Sequence, residues 1–108
     1  MLSALVGVGA WTWSPPAQAG GGDDITFQEA RDAWRARDKA RLGAARNALM
    51  AAQHPLAPWA DYWWVNARLT ELSRTEADEF LARWPDSYVA DRFRNDWLQE
   101  LGHRGDWG

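Results

Sequence analysis

The stretch Trp84-Pro85-Asp86-Ser87-Tyr88-Val89-Ala90-Asp91-Arg92-Phe93-Arg94-Asn95-Asp96-Trp97-Leu98-Gln99-Glu100-Leu101-Gly102-His103-Arg104-Gly105-Asp106-Trp107 decides the fold. Pro85 lacks an amide hydrogen and stops the helix before it. Asp86 or Ser87 then supplies the side-chain oxygen that caps the next one. Val89, Phe93, Trp97 and Leu101 recur every four residues, which is one face of a helix. Gly102 is predicted to end that helix, and Asp106 to cap another whose first buried residue is Trp107. Helices joined by tight turns are the result.

The same grammar holds towards the N-terminus. Ser73-Arg74-Thr75-Glu76 is a capping box, followed by Ala77, Phe80, Leu81 and Trp84 at i, i+3, i+4 and i+7. Pro58 suits the first turn of a helix carrying Trp59, Tyr62, Trp63, Ala67 and Leu69. Asp38 caps a helix with Leu42, Ala45 and Leu49 on one side, which should stop before His54-Pro55. Thr26-Phe27-Gln28-Glu29 reads as another capping box, opening a helix to about Arg37 with Phe27, Ala30 and Trp34 on one face. No strand-like alternation interrupts the five helices. The expected fold is all-α, with stacked antiparallel helical hairpins that begin an αα-superhelix (a solenoid). Turns every 15 to 20 residues give helix pairs at about the spacing of such arrays.

Ahead of the helices, residues 2–13 are uncharged and largely apolar, and Pro15-Pro16 and Ala17-Gln18-Ala19 follow. A short apolar core before a small-x-small triplet is what signal peptidase reads, and it falls short of the ~20 residues a membrane span needs. The expected organisation is a signal peptide over 1–19 cleaved after Ala19, a flexible Gly-rich linker over 20–26, and a partial helix-hairpin domain over 27–108. The expected location is the periplasm. The missing basic residue before the apolar core is expected to reflect a start upstream of Met1, and the helical array is expected to continue past Gly108.

Composition narrows the chemistry. The chain has 108 residues, no cysteine and a net charge of −3, so no disulfide staples it and net charge gives no reason to expect a nucleic-acid partner. Charge is segregated, however: Arg31 to Arg46 holds six basic residues against two acidic, and Glu71 to Glu100 eight acidic against four basic. The plain reading is solvated helix faces; the functional one is a basic rim that attracts anionic glycan stems. His54 and His103 stand far apart in turn segments with no second imidazole at i+3 or i+4, so no metal set is expected. No phosphate loop or cofactor motif occurs. A glycosidic acid needs a carboxyl held in a cleft with a raised pKa. Glu29 and Glu76 instead read as capping partners, and Glu71, Glu79 and Glu100 as flanking solvent-facing positions. No catalytic residue is expected.

Tryptophan, nine in all, has two readings. Trp34, Trp59, Trp63, Trp84 and Trp97 fall on apolar faces, where large rings fill helix seams. Trp64 points about 100° away from Trp63. It is the candidate for a glycan or inter-repeat contact.

From Phe27 to Trp107 the chain resembles the start of the U-shaped superhelical N-terminal domain of soluble lytic murein transglycosylases. The resemblance rests on Ala33-Trp34-Arg35-Ala36-Arg37-Asp38, His54-Pro55-Leu56-Ala57-Pro58-Trp59-Ala60-Asp61-Tyr62-Trp63, Phe80-Leu81-Ala82-Arg83-Trp84-Pro85 and the run from Ser87 to Trp107. It implies a periplasmic parent that cleaves the glycosidic bond between N-acetylmuramic acid and N-acetylglucosamine without water, leaving 1,6-anhydromuramoyl ends during cell-wall turnover. That family's catalytic Glu precedes a Ser in a separate lysozyme-like domain, and this sequence has no Glu-Ser pair. The implied role is a non-catalytic scaffold for peptidoglycan strands, partnered by further repeats and the catalytic domain. The alternatives are a free-standing exported helical module that binds a protein, and a small carbohydrate-binding module using exposed tryptophan.

Overall fold

The structure, a computed structural model, describes the backbone of residues 15–105 and the side chains of 24–105. Five helices follow one another: α1 (Pro15–Arg35), α2 (Lys39–Ala51), α3 (Ala57–Ala67), α4 (Arg74–Arg83) and α5 (Tyr88–Arg104), with a 3-10 turn at Leu69–Glu71 between α3 and α4. No strand occurs among the described residues, and the fold is all-α. The apolar segment 1–14 and the helix opening expected at Asp106-Trp107 lie outside the described residues.

Side-chain oxygens set three of the starts. Asp38 Oδ1 accepts from the Arg41 amide at 3.1 Å and caps α2. Ser73 and Glu76 close a reciprocal capping box on α4. Ser87 Oγ accepts from Ala90 N at 3.1 Å and donates to Trp84 O at 2.6 Å, so one hydroxyl ends α4 and begins α5. Pro58 sits in the first turn of α3, where a missing amide hydrogen costs nothing.

The helix ends use an uncommon residue choice. Arg37, Gln53 and Asp86 all take left-handed backbone, with φ of 59°, 54° and 55°. After α1, Arg37 N donates to Trp34 O and Asp38 N to Ala33 O; after α2, Gln53 N donates to Met50 O and His54 N to Leu49 O. These bonds satisfy carbonyls that would otherwise be orphaned, in a geometry normally given to glycine.

Three boundaries differ from the sequence reading. The backbone is helical across 20–26, where a linker was expected, so Thr26 and Glu29 lie inside α1 and form no capping box. Pro15 and Pro16 open α1, where proline is tolerated, and a glycine costs about 1 kcal/mol without breaking a helix. Glu29 instead lies 3.7 Å from Arg41. Leu69 has left α3 for the 3-10 turn. Finally, α5 runs through Gly102 and closes on Gly105, whose φ of 70° is the left-handed stop.

The apolar faces pack together where the spacing puts them, although Phe27, Trp34, Trp59, Leu81 and Trp84, expected in the core, are only partly buried at its edge. Ala30 and Ala33 of α1 face Leu42, Ala45 and Leu49 of α2 and Ala60, Trp63 and Val65 of α3 in one cluster. Ala77 and Phe80 of α4 meet Val89, Phe93, Trp97 and Leu101 of α5, and Phe80 lies 4.9 Å from Phe93 between ring centres. Fully burying a side chain of this size contributes about 1.5–3 kcal/mol. Consecutive helices pack together, and α3 touches all four others.

Candidate functional site

Because α3 is central, its polar residues become the joints of the molecule. Asp61 is completely buried. Its Oδ1 accepts from Arg46 Nε at 2.9 Å, and its Oδ2 from Arg83 Nε and Trp84 Nε1, both at 2.8 Å. One carboxylate thereby ties α2, α3 and the end of α4, and its lone pairs are spent on three donors. Also on α3, Tyr62 Oη donates to Asp96 Oδ2 at 2.6 Å, and Asn66 Nδ2, one turn beyond Tyr62, donates to the same oxygen at 3.2 Å. Burial, and then the Asp96 carboxylate, push the Tyr62 hydroxyl up to about 12.

Aromatic rings line the α1–α3 seam. His54, Phe27, Trp63 and Trp34 form a continuous stack with ring centres 6.2, 5.2 and 5.4 Å apart. His54 Nδ1 accepts from Leu56 N at 2.9 Å, which leaves the ring proton on Nε2, facing Asp24 Oδ1 at 3.3 Å. The imidazole is therefore spent on the α2–α3 turn and on α1. His103 lies exposed in the last turn of α5, and the described residues hold no group of three potential metal ligands.

Two of the clefts that border this framework carry candidate residues. The first is polar, about 200 Å³, and lined by Arg46, Trp64, Arg68, Glu76, Glu79 and Arg83. Its guanidiniums are already engaged: Arg46 and Arg83 with Asp61, and Arg68 with Glu76, whose carboxyl is held below the usual range chiefly by that hydrogen bond. Trp64, the tryptophan singled out by sequence, is half-buried here. The Arg68 guanidinium lies 4.7 Å over its ring, and a Cβ on Gly43 would stand 2.9 Å from its Cζ3. Trp64 thus packs within the α2–α3 hairpin, with one face held by an internal cation.

The second cleft lies between the α1–α2 turn and the C-terminal end of α3. It has two adjoining lobes of about 300 and 370 Å³ that share Trp34, Arg37 and Asn66; Lys39 and Ala67 complete one and Arg35 the other. Trp34 was expected to be a core residue, yet it is half-buried, with one side on Trp63 and its remaining surface walling this cleft. The signal that could have found it is local: Trp34-Arg35-Ala36-Arg37 puts an aromatic ring and two cations at one helix end. What periodicity could not supply was Asn66, brought there by α3.

The glutamates divide by environment. Glu76 is a capping partner, Glu71 pairs with Lys39 at 3.2 Å, and Glu100, expected to flank solvent, is buried and paired with Arg104 at 2.8 Å. The Arg104 fork also donates to Leu69 O and Leu72 O and covers the Trp97 ring, which draws the 3-10 turn onto α5 and closes over Glu100. No helix among the described residues is long and apolar enough to cross a membrane. Comparison of the chain with protein-family models, with curated proteins and with solved structures finds no match.

Proposed function

We propose that this chain is a non-catalytic scaffold from the superhelical N-terminal region of a periplasmic peptidoglycan lytic transglycosylase, where it helps to position glycan strands for a catalytic domain. One observation carries the reading: the ordered resemblance from Phe27 to Trp107. Its segments coincide with the joints of the structure. Ala33–Asp38 forms the α1–α2 turn, His54–Trp63 the α2–α3 joint with its buried aromatic face, and Phe80–Pro85 the end of α4. Residues that hold helical hairpins together are those a scaffold needs. The acidic side chains supply further support, since Asp61 and Glu100 are buried and, like Glu76, are each bound by arginine.

The reading frame past codon 108 tests this directly. A continuing helical array followed by a lysozyme-like segment with Glu-Ser is the expected result. A stop codon directly behind Gly108 overturns the reading and favours a free-standing exported module that binds a protein. In parallel, the purified chain incubated with peptidoglycan sacculi should release no anhydromuropeptides above a buffer control, and release would sink the scaffold role.

A further inference from the structure

We infer that the cleft walled by Trp34 and Asn66 binds a carboxylate-bearing pyranose sugar, the ring against the indole and the carboxylate on Arg35 and Arg37. The inference deepens the glycan-positioning reading and rests on it for the expected source of the sugar, a muramic-type residue.

The argument begins with what each wall has left to offer. Trp34 uses part of its ring surface on Trp63, 5.4 Å away, and presents the rest to the cleft. A flat, rigid apolar surface beside water suits the C–H face of a sugar. Asn66 Nδ2 is spent on Asp96, so the amide is fixed in orientation and its Oδ1 is left to accept from a sugar hydroxyl. The charges differ from those of the Trp64 cleft. Lys39 is held by Glu71, and Asp38 by the Arg41 amide, whereas Arg35 and Arg37 are exposed and form no ion pair with any described residue. Planar guanidinium forks grip a carboxylate through two parallel hydrogen bonds. The lobes are within the range of volume, upwards of about 300 Å³, that holds small molecules.

Arg37 makes the inference testable without disturbing the fold. Its φ of 59° is one glycine adopts freely, so Arg37→Gly removes the guanidinium while relieving the backbone. The 108-residue chain is titrated by heteronuclear NMR with N-acetylmuramic acid, glucuronic acid and the neutral N-acetylglucosamine. The expected result is shifts centred on the Trp34 indole, the Asn66 amide and the α1–α2 turn, with the neutral sugar about ten-fold weaker or worse, as loss of a charged hydrogen-bond pair implies. The double variant Arg35→Ala with Arg37→Gly should fall to the neutral sugar's level with unchanged circular dichroism. Tighter binding of the muramic sugar supports a cell-wall source, and tighter binding of glucuronic acid supports the cleft chemistry with another acidic polysaccharide as its source. Absence of shifts, equal affinity for neutral and acidic sugars, full binding by the double variant, or displacement by a short single-stranded oligonucleotide would each overturn the inference. None of these outcomes touches the reading frame past codon 108, so the two ideas fail separately.

Discussion

Arg37 and Asp61 are two residues whose surroundings oppose their chemistry. Arg37 sits in left-handed backbone with φ 59°, where a side chain costs about 1 kcal/mol that glycine does not. Arg37→Gly should therefore raise stability by about 0.5–1 kcal/mol, less the extra chain entropy of glycine in the unfolded state. Urea melts measure this, and a loss of stability would mean that the arginine side chain secures the turn. Asp61 is the converse case, an ion buried without any exposure. Asp61→Ala strands Arg46, Arg83 and the Trp84 indole, and breaking a buried ionic centre typically costs about 3–5 kcal/mol. Arg83 retains a third of its side-chain exposure and recovers some hydration, so the lower end, about 3 kcal/mol, is the expected drop. A change under about 1 kcal/mol would show that this carboxylate is not the joint described above.

At the scale of elements, α2 and α3 approach closely because Gly43 has no side chain. A Cβ there would meet Trp64 Cζ3 at 2.9 Å and Cη2 at 3.0 Å, and the ring cannot swing away freely under Arg68. Gly43→Ala gains about 1 kcal/mol of helix propensity and pays about 1–3 kcal/mol for overpacking, so the single variant should be neutral to destabilised. In a Trp64→Ala background the clash is gone and the same change should stabilise by about 1 kcal/mol. Thermal or urea melts of the four proteins give the coupling, expected at about 1–3 kcal/mol. Additivity would mean that the helices separate without cost. The pair was invisible in sequence, since Trp64 reads as an off-seam ring and nothing local links it to Gly43 on the preceding helix.

Across the whole molecule, α3 is the shared partner, and its tie to α5 through Tyr62 and Asp96 gives stability an alkaline limit. The Tyr62 hydroxyl is raised to about 12 from 10.0, first by burial and then by Asp96. A folded value above the unfolded one means that the native state holds the proton more tightly. The contribution is fully present below about pH 10 and is lost as pH rises to about 12 and beyond. Two units correspond to about 2–3 kcal/mol at most. Denaturant midpoints should fall across that window, tyrosinate absorbance should appear late for one of the two tyrosines, and Tyr62→Phe should flatten this part of the decline. An unchanged profile in Tyr62→Phe would place the alkaline sensitivity elsewhere.

What the sequence determined by itself was local. Capping at Asp38, Ser73 and Ser87, Pro58 in a first turn, Pro85 after a last one, and the buried stripes Leu42-Ala45-Leu49 and Val89-Phe93-Trp97-Leu101 all follow from hydrogen-bonding groups and the helical period within a few residues. Where two local rules competed, the sequence misled. Thr26 offered a cap and three glycines a break, yet α1 is continuous through them. Gly102 offered a stop, while Gly105 supplied the left-handed backbone. Contacts between distant segments were decided only by the tertiary structure. Asp61 reads as an ordinary helix polar residue until Arg46, Arg83 and Trp84 converge on it, and Trp34 reads as core until the end of α3 sets Asn66 across an open cleft. Helical period fixes which way a side chain points on its own helix. How much of that direction is covered depends on where the other helices come to rest, and that is settled by packing rather than by spacing.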